Sequence, residues 1–368
     1  MKSVYIHIPF CDKICSYCDF CKILNNEKIV DKYLDELEKE IKKNYRFEKI
    51  ETIYIGGGTP SCLTIKQLKK VFTIINIFNK DKLKEFTIEC NFENTTKEKL
   101  DLFKSNNINR LSFGLESTNK EELIFLNREF SKEHIEYIIS YAKKIGIKNI
   151  NMDLIYALPN QTIQNIKNSL DFIISLDIPH ISTYSLIIEN NTLLKINNIK
   201  EISEDLDFKM YKFICNYLKE NNYNHYEISN FSKNNYQSIH NDIYWKNKEY
   251  YGFGLGASGY IGNNRYSNTK SINNYLKGKY EYTNEKLSKK DIMDYQIILN
   301  LRRKNGINKK DFKEKFQKDL KECYNYNRLV NYNFLIEDKK NIYIPEEKWY
   351  ISNEIIVKFL EGAVNEQK

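Results

Sequence analysis

The chain lacks any apolar run approaching the roughly 18 residues that a membrane-crossing helix requires, so it is not read as a membrane protein. Proline and glycine are scarce, 5 and 13 of 368 residues, and with 41% hydrophobic and 29% charged residues this excludes a disordered chain. No internal repeat, heptad run or low-complexity linker is present, so a coiled coil or a repeat array is not expected. A strand signal begins almost at Met1, leaving no room for a secretory or transit segment, and a cytoplasmic location is expected. Net charge is only +8, and no basic stripe carries interleaved aromatics, which argues against nucleic acid. A weak attraction for anionic partners is compatible with that charge.

Short β-branched runs alternate with amphipathic segments through the first half, the pattern of repeated βα units. Six strands are expected: SVYIHI near 3, TIYIG near 52, FTIEC near 86, RLSFGL near 110, INMDLIYAL near 150 and ISTYSLII near 181. Between them lie helical patterns such as KIVDKYLDELEKEIKK and TIQNIKNSLDFIISL. Six units are two short of a closed eightfold barrel, so the expected fold is α/β, a partial (β/α)6 TIM-like barrel with a lateral mouth. The expected division is a barrel over 1–230, a connecting segment of loops and short strands over 231–285, and a small, mostly α-helical domain with a hairpin over 286–368.

Four of the eight cysteines crowd into HIPFCDKICSYCDFC, His7 to Cys21. Cys11, Cys15 and Cys18 have C-x3-C-x2-C spacing on the loop after the first strand. Three thiolates on one loop bind three irons of a cubane cluster and leave the fourth iron open. A zinc ribbon wants a second Cys or His pair at a distance, and a thioredoxin-type pair is C-x2-C opening a helix; neither is found. Cys21 does not extend the spacing to a fourth ligand. Isolated Cys62, Cys90, Cys215 and Cys323 read as structural thiols, and His7, His134, His180 and His225 as structural or surface residues.

Sites of parallel barrels gather at the C-terminal ends of the strands. There the sequence puts GGGTP (Gly56 to Pro60), Glu89, Glu116 and Asp153 after successive strands. One carboxylate at a strand end is usually solvated or caps a helix; polar groups after consecutive strands argue for a site. GLGASG (Gly254 to Gly259) also fits G-x-G-x-x-G, but it lies outside a strand–helix crossover and is read as a plain glycine-rich loop.

Cys11, Cys15 and Cys18 with Tyr17 resemble the signature of the radical S-adenosylmethionine enzymes. The resemblance implies a [4Fe-4S] cluster whose free iron takes the methionine amino and carboxylate groups, and homolysis to a deoxyadenosyl radical. It further implies that Gly57, Gly58 and Thr59 meet the methionine amino group, with Glu89 and Arg128 nearby. Glu116 and Asp153 become ribose contacts, and Tyr5 and Tyr17 flank the cofactor.

YIHIPFCDKICSYCDFC, IYIGGGTPS, NMDLIYALPNQT, YEISNFSK, HNDIYWKNKEYYGFG and RYSN resemble, in order and along most of the chain, the oxygen-independent coproporphyrinogen III oxidase family. HNDIYW matches the H-N-x-x-Y-W motif of its heme-chaperone branch, which implies heme as a ligand. His240 is then an expected axial ligand, and Tyr244 and Trp245 aromatic faces for the macrocycle. Implied partners are heme-accepting proteins, membrane respiratory enzymes among them, and a reductant such as flavodoxin or ferredoxin; the chain is expected to be a monomer or dimer. The branch reading favours transfer of heme to acceptors, with coproporphyrinogen dehydrogenation or radical methyl transfer as alternatives. The oxidases carry an N-terminal lid that seals the site, and its lack here argues against decarboxylation. Glu116 stands where relatives commonly have Gln, Ser258 where they often have His, and ECNF replaces E-x-N-P; the first two leave a ribose contact and a heme contact open.

Overall fold

The structure, a computed structural model, describes residues 1–364. The six expected strands are present as β1 (Lys2–Ile8), β2 (Ile50–Gly57), β3 (Glu85–Cys90), β4 (Arg110–Glu116), β5 (Asn149–Tyr156) and β6 (His180–Ser185). They pair in that order, each parallel to the next. The crossovers run through α1 (Glu27–Asn44), α2 (Ile65–Ile75), α3 (Lys97–Ser105), α4 (Lys120–Leu126), α5 (Lys132–Lys144) and α6 (Ile163–Ser175).

The strands alternate, and the alternation divides two environments. Val4, Ile6, Ile53, Ile55, Phe86, Ile88, Leu111, Phe113, Ile150 and Met152 are all buried in one apolar core with residues of the helices. The intervening residues, among them Thr52, Glu89, Arg110, Ser112, Asn151 and Asp153, occupy the other face, inside the partial barrel. A fully packed barrel fills that space with branched apolar side chains; a polar lining reserves it for a ligand.

Past β6, α7 (Glu204–Glu220) leads to β7 (Asn224–Glu227) and β8 (Asn230–Ser232), a hairpin added antiparallel to β6. The short α8 (Ile239–Trp245) follows, carrying the HNDIYW motif. The segment expected to hold loops and short strands then builds β9 (Tyr250–Phe253), β10 (Ser258–Ile261), β11 (Asn264–Asn268) and β12 (Glu281–Lys286). β9 runs parallel to β1, so seven parallel strands are consecutive, and β10 to β12 extend the sheet as an antiparallel meander. The outermost strand, β12, is exposed and reads EYTNEK, a charged edge that discourages pairing with another chain.

A second core lies in the C-terminal part, between α9 (Lys289–Asn300), α10 (Ser352–Glu361) and buried Trp349. The expected hairpin is Ile336–Glu337 against Asn341–Tyr343, with Ile307–Asn308 as a third strand. The last helical pattern, over 352–365, ends at Glu361, and residue 365 lies outside the described residues. Among the described residues no helix is long and apolar enough to cross a membrane.

Glu40 on α1 locks the glycine-rich loop to the barrel. It is 1% exposed and accepts from the Gly254 amide at 2.9 Å, the Asn268 amide group at 2.6 Å and the Tyr275 hydroxyl. Burial pushes its carboxyl up to about 7 from an ordinary 4.5, despite those donors. Between these values the folded chain keeps a proton that the unfolded chain has released. The associated stability is therefore complete below pH 4.5 and is lost as pH rises through 7. Relative to Glu40→Gln, the native chain should lose roughly 3 kcal/mol of unfolding free energy across that window. Paired urea titrations at acid and alkaline pH measure it, and a constant difference would refute the assignment.

Candidate functional site

One cavity of about 490 Å³ opens at the C-terminal ends of the barrel strands. Cys11, Cys15, Tyr17, Cys18, Gly57, Gly58, Thr59, Glu89, Glu116, Arg128 and Asp153 all line it. The loop that carries the cysteines is held independently of their thiols. The Ser16 amide and hydroxyl donate to the Leu126 and Phe125 carbonyls at 3.2 and 2.7 Å, and the Asn127 side chain donates to the Ile14 carbonyl at 2.7 Å. Burial pushes all three thiols up, Cys18 to about 11, so they are neutral at pH 7 unless a metal draws off their protons.

The residues fit a cluster. Cys11, Cys15 and Cys18 all line the one cavity, a three-thiol donor set of the kind a cubane cluster takes. The Gly56–Thr59 turn comes close beneath them: a Cβ on Gly58 would lie 2.8 Å from the Phe10 carbonyl oxygen and 2.9 Å from Cys11 Sγ. A Cβ on Gly57, at φ +119°, would lie 2.7 Å from the His7 ring. The turn's amides are engaged within the protein. Gly57 N donates to Glu89 Oε2 at 2.9 Å, Gly58 N to the Ile8 carbonyl at 2.9 Å and Thr59 N to the Phe10 carbonyl at 2.8 Å.

Two charged groups stand beside the cysteine loop. Arg128 Nε donates to Glu93 at 2.9 Å, Nη2 to the Gly114 carbonyl at 2.8 Å, and Nη1 lies 3.9 Å from Cys15 Sγ and 3.7 Å from Glu116. Glu116 also accepts from the Tyr17 hydroxyl at 2.9 Å. Its backbone is left-handed, φ +65°, at a register shift between Gly114 and Glu116, which turns the carboxyl into the cavity. Burial pushes Glu116 and Glu89 each up to about 7. Glu89 accepts from Tyr54 at 2.8 Å as well as from Gly57. Asp153, likewise raised by burial, accepts from Asn151 at 2.8 Å.

Four expected residues lie off the lining. Tyr5 sits beneath it, its hydroxyl 3.0 Å from His7 Nδ1 and its ring 6.1 Å from that of Tyr54. His240 is 1% exposed, with Nδ1 2.7 Å from the Thr52 hydroxyl and Nε2 2.8 Å from the Tyr244 hydroxyl. Both ring nitrogens are hydrogen-bonded within the protein in this conformation. Tyr244 packs against Tyr250 at 4.5 Å, and Trp245 faces Arg302 of the C-terminal part. The motif residue that reaches the cavity is Asn241. Arg110, Ser112, Asn151, Ser182 and Tyr184 line it too and were not anticipated, although a period of two counted back from Glu116 and Asp153 finds the first three. Ser258 is exposed on β10, away from the lining.

The Radical SAM superfamily profile matches residues 5–173, and the HemN C-terminal domain profile matches residues 287–350. The heme chaperone HemW of Lactococcus lactis is 36% identical over 374 aligned residues, spanning 99% of this chain and 98% of that protein. HemW of Bacillus subtilis is 35% identical, spanning 98% and 99%. The solved structure of Escherichia coli coproporphyrinogen III oxidase, HemN, superposes with a TM-score of 0.84 at 22% identity, covering 97% of this chain and 89% of that one, which shows a shared fold. With its radical SAM barrel, its HemN-type C-terminal domain and relatives matched over nearly their whole length, the chain belongs to the HemW heme-chaperone family of the radical SAM superfamily.

Proposed function

We propose that this protein is a heme chaperone that carries a [4Fe-4S] cluster on Cys11, Cys15 and Cys18, binds S-adenosylmethionine beside it and passes heme to acceptor proteins. The observation behind this reading is that the three cysteines and the strand-end acids Glu89, Glu116 and Asp153 line one cavity, in a chain whose relatives are named heme chaperones. When bound, such a cluster supplies a low-potential electron to the sulfonium. The chain's own part is to hold and orient. Carbonyls of the Gly57–Thr59 turn, whose amides are occupied, are left to receive an ammonium group; Arg128 sets positive charge beside the cluster loop; half-buried Asp153 and buried Glu116 stand where ribose hydroxyls can reach them. Phe20 and Ile187, 64% and 63% exposed on the cavity rim, offer the macrocycle an apolar face.

In this reading 1–230 is the cofactor barrel, 231–285 delivers α8 to the cavity, and the part from 286 on braces α8 through the Asn300 side chain, which donates to the Trp245 carbonyl at 2.7 Å. The chain is placed in the cytoplasm, served by a flavodoxin- or ferredoxin-type reductant. Anaerobic reconstitution should give about four irons per chain with equivalent sulfide. The same sample should take up one heme and form no protoporphyrinogen from coproporphyrinogen. Zinc in place of iron would overturn the cluster assignment, and sustained coproporphyrinogen turnover would overturn the chaperone assignment in favour of the oxidase.

A further inference from the structure

The cavity holds a guanidinium that makes no hydrogen bond among the described residues, although its charge is felt by the carboxyls of Glu89 and Asp153. Arg110 opens β4, is only 2% exposed and lines the cavity. Among the described residues its side chain has no hydrogen-bond acceptor and no ion-pair partner, and its Nε is buried and unsatisfied. A guanidinium is always charged and carries five donors, so leaving it unmatched away from water is strongly unfavourable. The surrounding polar groups are already committed elsewhere. Asn151 donates to Ser112 at 2.8 Å and accepts from Ser182 at 3.0 Å, with His180 Nδ1 2.6 Å away. Glu89 is held by Tyr54 and Gly57. Asn241, entering from α8, also lines the cavity, and its side-chain amide has no partner among the described residues.

Two donor groups that line one space and lack a hydrogen-bond acceptor suit an oxyanion. We propose that Arg110 and Asn241 form a carboxylate subsite that receives a propionate of the heme, an inference that rests on the heme-chaperone reading. The planar fork of the guanidinium matches a carboxylate in bidentate geometry, and the Asn241 amide adds a neutral donor that suits one oxygen of the same group. The carboxylate of S-adenosylmethionine is a second source of this chemistry. Its expected place is at the cysteine loop, where Arg128 already stands 3.9 Å from Cys15 Sγ. Arg110 is at the opposite end of β4 from Glu116, roughly 20 Å along the strand. The heme thus enters with its macrocycle toward the apolar rim and an acid group toward the barrel interior.

The test compares heme with heme dimethyl ester, in which both propionates are masked. Soret titration of the unmodified protein should show the ester binding roughly 10- to 100-fold more weakly. Arg110→Met and Asn241→Ala should weaken heme while leaving the ester where it was, with Arg110→Lys intermediate; S-adenosylmethionine affinity, measured by equilibrium dialysis, should not move in Asn241→Ala or in Arg110→Lys, which keeps the charge beside Glu89 and Asp153. Equal affinity for heme and ester in the unmodified protein overturns the subsite while leaving the chaperone reading standing. Loss of S-adenosylmethionine affinity in Arg110→Met with heme unaffected overturns it in favour of the other carboxylate. If no heme binds at all, both fall. Should Arg110→Met fail to melt cooperatively, the ester comparison on the unmodified protein still decides.

Discussion

Serine in place of Cys15 should give a folded protein that retains almost none of the iron and acid-labile sulfide of the unmodified chain after anaerobic reconstitution. A thiolate is the ligand that an iron–sulfur cluster accepts, and two thiols hold it far less securely than three. The loop itself should survive. Its anchors to Phe125, Leu126 and Asn127 run through Ser16 and the Ile14 carbonyl, none of them through a thiol. Stability without the cluster should therefore change by no more than about 1 kcal/mol, the range of substitutions that break no buried network. Two controls sharpen the result. Cys62→Ser alters a buried thiol that donates to the Phe10 carbonyl at 3.4 Å, and Cys21→Ser a thiol outside the cavity lining; both should keep full iron. Full iron and sulfide in Cys15→Ser, or loss of both in Cys21→Ser, would mean the ligand set is misassigned.

That the cysteines on the cavity lining were legible and Arg110 and Asn241 were not has a physical reason. Cys11, Cys15 and Cys18 are adjacent in sequence, so spacing alone brings them together, and the six parallel strands announce themselves as β-branched runs between amphipathic helices. Arg110, Ser112, Asn151 and Asp153 also follow a rule, since residues two apart on a strand share a face. What sequence does not show is which face of a single helical turn looks inward. On α8, His240 and Tyr244 are four residues apart and share the face that packs on Thr52 and Tyr54, while Asn241, one residue on, is turned about 100° toward the cavity. The seventh parallel strand was equally hidden. YYGF is too short and glycine-containing to stand out, and its place beside β1 depends on the long-range packing that buries Glu40 against the loop after it. Glu116 reaches the cavity through a left-handed backbone that no propensity foretells.

Replacing His240 by alanine should cost roughly 3 to 5 kcal/mol of stability, because it removes a buried ring and two hydrogen bonds together. The ring is tilted over Tyr54 at 5.1 Å and meets the edge of Tyr244 at 4.9 Å, so its loss leaves a void between α8 and β2. Burial, and then the charge of Arg110, pull its pKa down to about 3, so the ring stays neutral at pH 7. The Thr52 hydroxyl donates to Ser3 at 2.8 Å. That leaves Nδ1–H to donate to Thr52 and Nε2 to accept from Tyr244, so both ring positions are spoken for. In this conformation His240 ties α8 to β2, and with it the position of Asn241 at the cavity. Heme affinity of the alanine variant should fall with that displacement, yet the Soret maximum of the heme that still binds should match the unmodified protein, and added imidazole should not change it. Iron content should stay full, since Cys11, Cys15 and Cys18 lie on a separate loop. A Soret band that shifts in the variant and returns with imidazole would show instead that Tyr244 releases Nε2 to the iron when heme arrives, making His240 the axial ligand through a movement of α8.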